Sequence, residues 1–312
     1  MAFSLIAGSA NIPLATATAN LLEARLSIAD VQHFPDGEQH VELRDSVRGA
    51  DVFILQPTSP PVDKNLIELL FLCDAARHAG AEHVTAVVPY FGYARQDRRA
   101  RGREALAARL TADMIAAAGA ERVVGVDVHT PTIEGFFSVP FEHVSAVSLL
   151  LERISGVLPS ESVVVSPDLG AVKLAERFAS ELGLPVAVVR KARVSGTEVS
   201  VTGVTGNVRN HVPVIVDDMI STGATIRAAA EAVMRAGARS RAIVVATHGL
   251  FVGKATESLR QEWLERIIVT DTIPQSPDTG LPLETVSVAS LLAEVVGRLH
   301  RRESLSGLIK RE

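Results

Sequence analysis

The sequence predicts an α/β fold built as two similar domains, each a mainly parallel sheet flanked by helices. Three observations carry this. Short runs rich in β-branched residues alternate with Ala/Leu-rich amphipathic stretches, and continuous apolar strands separated by helices belong to parallel sheets covered on both faces. Several helical stretches stop at a glycine, the residue that most easily takes the left-handed conformation closing a helix. The alternation also occurs twice, with a break near residues 140–160 that suggests a duplication, although no residue-level repeat is visible.

In chain order, "DVFILQP" (51–57) and "HVTAVVP" (83–89) read as strands around a helix at 64–79, and "RVVGVDV" (122–128) follows a helix at 104–118. After the break come the strands "SVVVSP" (162–167), "PVAVVR" (185–190), "VPVIVDD" (212–218), "RAIVVATH" (241–248) and "RIIVTD" (266–271), with helices at 170–182 and 225–236. Gly80, Gly119, Gly183 and Gly237 are the expected helix closers. The expected domains are residues 1–142 and 143–312, with the C-terminal helix free to return to the first domain. The basic tail "GRLHRRESLSGLIKRE" reads as a solvated helix end.

Bulk properties narrow the function. At 312 residues, 47% hydrophobic and 21% charged, the chain can build one large or two ordinary cores. A net charge of −5 speaks against a dedicated nucleic-acid or membrane-surface protein. The only cysteine, Cys73, excludes a disulfide framework within the chain and reads as a small buried hydrophobe. No apolar run reaches the ~18–20 residues of a membrane span, and the N-terminus has no signal-peptide pattern. A soluble, cytoplasmic protein is expected.

Ligands of open parallel sheets bind at the carboxyl ends of strands, and six clusters fall there. "FPDGEQHVEL" (34–43) sets Asp36 and Glu38 around a glycine and alone is an ordinary turn. "PYFGYARQDRRARGR" (89–103) carries five arginines between Arg95 and Arg103, with Gln96 and Asp97 among them. A nucleic-acid arm and a solvated loop are both open readings. In an acidic chain a short cationic cluster fits a polyphosphate better, because guanidinium groups donate pairwise to phosphate oxygens. "VDVHT" (126–130) places Asp127 and His129 on alternate positions, where the histidine is a structural residue or a metal or phosphate ligand. In "SPDLGAVKLAERFA" (166–179), Asp168 either caps a helix or holds magnesium beside a phosphate chain. Lys191 and Arg193 in "RKARVSGTEVSV" (190–201) point the same way on an extended segment, which suits a clamp on a transferring phosphoryl group.

The sixth cluster, "VIVDDMISTGAT" (214–225), joins two acids to a small-residue loop before a helix. Such a loop offers amide and hydroxyl donors to an anion. Asp217 and Asp218 beside it make sense if the ligand is a sugar phosphate, whose hydroxyls donate to carboxylates.

This stretch resembles the phosphoribosyl-diphosphate loop of type I phosphoribosyltransferase folds. With "FPDGE", "VRGADVFILQPT", "PYFGYARQDRR", "DVHTPTIEGFF", "SPDLGAV", the Lys-x-Arg of 191–193, "THGLF" and "DTIPQ", the chain resembles the ribose-phosphate pyrophosphokinase family, collinearly from about residue 30 to 290. The resemblance implies two phosphoribosyltransferase-like domains and magnesium-dependent transfer of the β,γ-diphosphoryl group of ATP to ribose 5-phosphate. It implies ATP contacts from Asp36, Glu38, Arg95, Gln96, Asp97 and His129, the first two reaching a neighbouring subunit. Magnesium falls to His129 and Asp168, and catalysis to Lys191 and Arg193. Ribose 5-phosphate falls to Asp217, Asp218, Ser221, Thr222, Gly223, Ala224 and Thr225. A homo-oligomer (a dimer, or a hexamer built of dimers) is implied, with phosphate and ADP as effectors and no nucleic-acid or membrane partner.

Four positions depart from the family pattern. Ser221 stands where an aspartate is common and looks archaeal in type. Ala224 and Ala171 stand where glycine is usual, and Glu104 where proline is common. These bear on regulation more than on chemistry. Two other readings are weighed: a non-catalytic regulatory subunit, which would be expected to have lost the catalytic loop or metal ligands, and a nucleobase phosphoribosyltransferase, which needs only one domain.

Overall fold

A computed structural model describes residues 2–193 and 199–309, and for residues 2, 191–193 and 199–202 the backbone alone. The chain forms two compact units. The first comprises residues 1–146, 272–274 and 287–312, and the second residues 147–271 and 275–286.

The first unit contains β1 (Ala2–Ala7), α1 (Ile12–Leu21), β2 (Leu26–Ile28), β3 (Asp30–His33), β4 (Gln39–Glu42), β5 (Ala50–Leu55), α2 (Val62–His78), β6 (His83–Val88), α3 (Ala107–Ala117), β7 (Arg122–Val126) and β8 (Phe141–Val144). Its sheet runs β2-β1-β5-β6-β7-β8, every neighbouring pair parallel. All six residues of β5 are buried, as a run apolar enough to be covered on both faces requires. Leu69, Leu72 and Cys73 of α2 join Ile54 and Ile115 in the core. Burial pushes the Cys73 thiol up to about 12, so it packs as an apolar group. β3 and β4 form a separate antiparallel hairpin outside the sheet.

The second unit contains α4 (Val147–Ser155), β9 (Ser162–Ser166), α5 (Val172–Leu182), β10 (Val186–Arg193), β11 (Val199–Thr205), β12 (Val212–Ile220), α6 (Ala224–Arg235), β13 (Ala242–Gly249), α7 (Ala255–Leu259), β14 (Leu264–Thr270) and β15 (Leu283–Val286). Its sheet runs β11-β10-β9-β12-β13-β14-β15, parallel except for the β10–β11 pair. The chain then returns to the first unit, where α8 (Ala289–His300) packs on α1. There His300 Nδ1 lies 2.9 Å from the carboxylate of Asp51, an otherwise buried acid on β5.

Every strand and helix expected from the sequence is present, and the differences lie at the ends. The helix expected from 104 starts at Ala107, because the Glu104 carboxylate is engaged by the loop before it. The strand expected at 185–190 continues to Arg193, paired with β11. All four expected closing glycines have positive φ, between 64° and 114°. No helix among the described residues is long and apolar enough to cross a membrane.

Candidate active site

In the second unit, the carboxyl end of β12 delivers Asp217 and Asp218, both half-buried. β9 pairs beside it in parallel, so Asp168, just beyond the end of β9, is on the same side of the sheet. Asp168 Oδ1 accepts from Gly170 N at 2.9 Å, an Asx-type turn before α5. The amide of Asp218 donates to Asp217 Oδ1 at 2.9 Å. Loss of water around Asp217, then the charge of Asp218, a side-chain hydrogen bond with Asp218 and the charge of Asp168, hold its carboxyl well above the usual carboxylate range. The adjacent acids Asp217 and Asp218 thus repel one another, with Asp168 adding to the negative field, a condition that a ligand donating hydroxyl hydrogens relieves.

The loop that follows is fixed from behind. Leu250 N and Phe251 N both donate to Ile220 O, and Val252 N donates to Ser221 O at 3.0 Å. Gly223 then takes φ 74°, ψ −7° as the residue before α6, and an added Cβ would lie 2.7 Å from Leu259 Cγ. No side chain caps α6, and the first helical bond is Arg227 N to Gly223 O. The preceding amides are left pointing into the loop with the positive end of the helix dipole. The hydroxyls of Ser221, Thr222 and Thr225 make no hydrogen bond to protein among the described residues. Amide and hydroxyl donors with no protein acceptor among the described residues, one strand end away from two acids, have the chemistry to hold an anion joined to a polyol.

Lys191 and Arg193 lie on β10, opposite Val201 and Val199 of β11, beyond a bulge at Arg190/Lys191. The backbone there is extended; their side chains, and residues 194–198, lie outside what the structure describes.

In the first unit, Asp36 and Glu38 occupy the exposed tip of the β3–β4 hairpin. Glu38 N donates to Asp36 Oδ1 at 3.1 Å, and Phe34 N donates to Glu38 O. Arg95, Gln96 and Asp97 follow β6 in a turned segment, with Gln96 N donating to Tyr93 O and Gln96 O accepting from Ala108 N. The arginines beyond are exposed. Asp127 and His129 divide into two kinds. Asp127 is buried with φ 39°, and its carboxylate accepts from Ser145 Oγ at 2.8 Å and Ala146 N at 2.9 Å. It therefore holds the turn, while His129 stands exposed beyond it.

The departures have local explanations. Ala224 is the first residue of α6 with negative φ, the left-handed position falling on Gly223 instead. Ala171 adopts φ −90° and is buried before α5, so its methyl is accommodated without strain. The Glu104 carboxylate accepts from Ala100 N and Arg101 N, fixing the arginine loop by hydrogen bonds in place of a proline ring.

Sequence reasoning missed the groups that brace these positions: Ser145 under Asp127, Leu259 against Gly223, and residues 250–252 behind the loop. The stretches "THGLF" and "DTIPQ" could have suggested the last, because Gln275 Nε2 donates to Gly249 O at 2.8 Å, tying one stretch to the other.

Comparison with known proteins decides the family. A domain model described as the N-terminal domain of ribose phosphate pyrophosphokinase matches residues 3–119, and one described as the phosphoribosyl synthetase-associated domain matches residues 192–310. A ribose-phosphate pyrophosphokinase of Thermotoga maritima is 40% identical, with 98% of each chain covered. The chain belongs to the ribose-phosphate pyrophosphokinase family. A chloroplastic member from Oryza sativa subsp. japonica is 42% identical, with 95% of this chain and 76% of that one covered. The crystal structure of phosphoribosylpyrophosphate synthetase from Mycobacterium smegmatis superposes with a TM-score of 0.91 at 38% identity, covering 97% of this chain and 100% of that one. These relatives are bacterial and plant proteins and give no support to an archaeal character for the 221–225 loop.

Proposed function

We propose that the chain transfers the β,γ-diphosphoryl group of ATP to the C1 hydroxyl of ribose 5-phosphate, forming 5-phosphoribosyl diphosphate and releasing AMP. The observation that carries this is the donor-rich, uncapped loop 221–225 directly after two partly buried acids. The loop takes the 5-phosphate, while Asp217 and Asp218 accept from the ribose hydroxyls. Arg95, Gln96, Asp97 and His129 hold ATP, with Asp36 and Glu38 completing the nucleotide site of a neighbouring subunit in a homo-oligomer.

The C1 oxygen attacks the β-phosphorus, and the bond to the oxygen bridging the α- and β-phosphates breaks. Such a step needs alignment and neutralised charge more than covalent help from protein, and we assign no general base. Lys191 and Arg193 supply positive charge to the transferring group.

The Asp168 carboxylate fits magnesium. Asp168 offers a hard carboxylate oxygen just beyond a strand end, and no cage of three His, Cys, Asp or Glu ligands occurs among the described residues. Magnesium of this kind is held by one or two protein groups and completed by substrate phosphates. Asp168 and His129 are the residues assigned to it, and the ion would neutralise the phosphate chain.

Purified protein given magnesium, ATP and ribose 5-phosphate is expected to release AMP and form the diphosphate. The assay is run with and without phosphate and ADP, the proposed effectors. Absence of AMP release under all these conditions would favour a second reading, a non-catalytic subunit that assembles with active synthetases. The description of the second matching domain keeps that reading in view.

A further inference from the structure

Glu68, in the middle of α2, is completely buried, and none of its hydrogen-bond partners is a cation. Its carboxylate accepts from three donors of two distant segments. Ser9 N and Ser9 Oγ approach at 2.5 and 2.6 Å, and Gln39 Nε2 at 3.0 Å. Ser9 opens the turn after β1, and Gln39 is the first residue of β4, next to Glu38 at the hairpin tip. Gly8 has no room for a side chain, since an added Cβ would lie 2.3 Å from Gln56 Oε1 and 2.8 Å from Glu68 Oε1. The carboxylate is thus closely enclosed.

The hairpin needs such an anchor. A two-stranded hairpin is marginal by itself, and β3–β4 is not part of the six-stranded sheet. Residues 34–38 are all exposed, and among the described residues half-buried Val31, Val41 and Leu43 are the apolar side chains that pack the hairpin on the core. Apolar contacts of this kind hold a strand against a helix but do not fix the direction of its tip. A directional bond from Gln39, one residue from Glu38, to a carboxylate locked on Ser9 does. A carboxylate is costly to bury, and here three converging donors offset that cost.

We propose that Glu68 and Gln39 are positioning residues: the Ser9–Glu68–Gln39 chain sets the orientation of Asp36 and Glu38 for the nucleotide, without either residue touching substrate. This rests on the hairpin's nucleotide role proposed above. Preorganising a binding loop strengthens ground-state binding and leaves the chemical step alone.

The test uses steady-state kinetics on the full-length protein. Gln39→Leu removes only the hairpin's bond from a half-buried site, and it is expected to raise KM for ATP about tenfold. KM for ribose 5-phosphate, kcat and Tm are expected to stay near wild type. Glu68→Gln is expected to behave nearly as wild type, because its carbonyl still accepts from Ser9 and its amide can donate to a flipped Gln39. Asp36→Ala serves as the control on the hairpin and is expected to raise KM for ATP. A normal KM for ATP in Gln39→Leu beside a raised one in Asp36→Ala overturns the tether while the nucleotide reading stands. A normal KM in Asp36→Ala removes the nucleotide role of the hairpin and the tether with it. A parallel change of both KM values, kcat and Tm in Gln39→Leu reduces the chain of bonds to ordinary structural support and also overturns the proposal.

Discussion

The two sheets share one winding and treat the same strand end in opposite ways. The order β2-β1-β5-β6-β7-β8 of the first unit matches β10-β9-β12-β13-β14-β15 of the second position by position, so β5 corresponds to β12. After β5, Gln56 is buried, its carbonyl oxygen accepting from Ala10 N and its amide reaching Asn65 O. Thr58 Oγ1 accepts from Gly92 N and donates to Tyr90 O, and Asn65 Nδ2 donates to Ser59 O. After β12, two acids crowd one another, and among the described residues three hydroxyls meet no protein partner and no side chain caps the first turn of α6. The first unit pairs its strand-end polar groups with one another, and the second leaves hydroxyls without a protein partner among the described residues. Topology makes the strand end available, but side-chain pairing determines whether it binds anything.

The largest expected effect is at the β10–β11 hairpin of the second unit. Lys191→Ala on β10 is expected to lower kcat about a thousandfold with little change in KM for ATP, because its charge matters most in the transition state. Equal losses in kcat and ATP affinity would make it a ground-state binder.

A smaller and more diagnostic effect comes from a pair of glycines. Gly223→Ala forces a methyl toward Leu259 from a left-handed backbone and should raise KM for ribose 5-phosphate about tenfold or more. Gly8→Ala crowds Gln56 and Glu68 in the first unit and should cost about 1–3 kcal/mol of stability, as overpacking does. It should not single out the KM for ribose 5-phosphate. Denaturant melts and substrate titrations of both variants separate the two outcomes; a selective ribose-phosphate defect in Gly8→Ala would break the comparison.

A third effect depends on pH. The Asp217 carboxyl is raised in the folded protein, so the fold holds its proton more tightly than the unfolded chain does. That contribution to stability is present below the unfolded carboxylate range and is lost as pH rises through the folded value. Asp217→Asn should therefore raise Tm of the ligand-free protein at neutral pH more than at mildly acidic pH, while impairing catalysis. A Tm gain independent of pH would contradict it. The smallest expected effect is that of Ala224→Gly, at the first, exposed position of α6. It should change KM for ribose 5-phosphate less than threefold.

The buried strands were legible because each is a continuous apolar run, and α2, α3, α5 and α6 because each has an apolar stripe and a closing glycine. The strand-end acids were legible because chemistry at that place in such folds is constrained. What was not legible depends on distant partners. Glu68 reads in "NLIELLFLC" as an unremarkable polar position, and its partners Ser9 and Gln39 lie 59 and 29 residues away. Asp127 and His129 look equivalent in "VDVHT", and only Ser145 and Ala146 separate the structural residue from the exposed one. The tail was read as a solvated helix end, yet Ile309 bridges to Val144 and His300 pairs with Asp51. The 249-residue separation of that last pair leaves no local pattern.

The return of α8 to the first unit also has a consequence for biosynthesis. A ribosome that has finished β15 has supplied every strand of the second unit, whereas the first still lacks the helix that packs on α1. Leu292, Val295 and Val296 of that helix, buried in the finished protein, are made after every strand of both sheets. The half of the molecule synthesised first is thus completed last, and nascent chains or C-terminal truncations expose the apolar flank of α1 to chaperones and proteases.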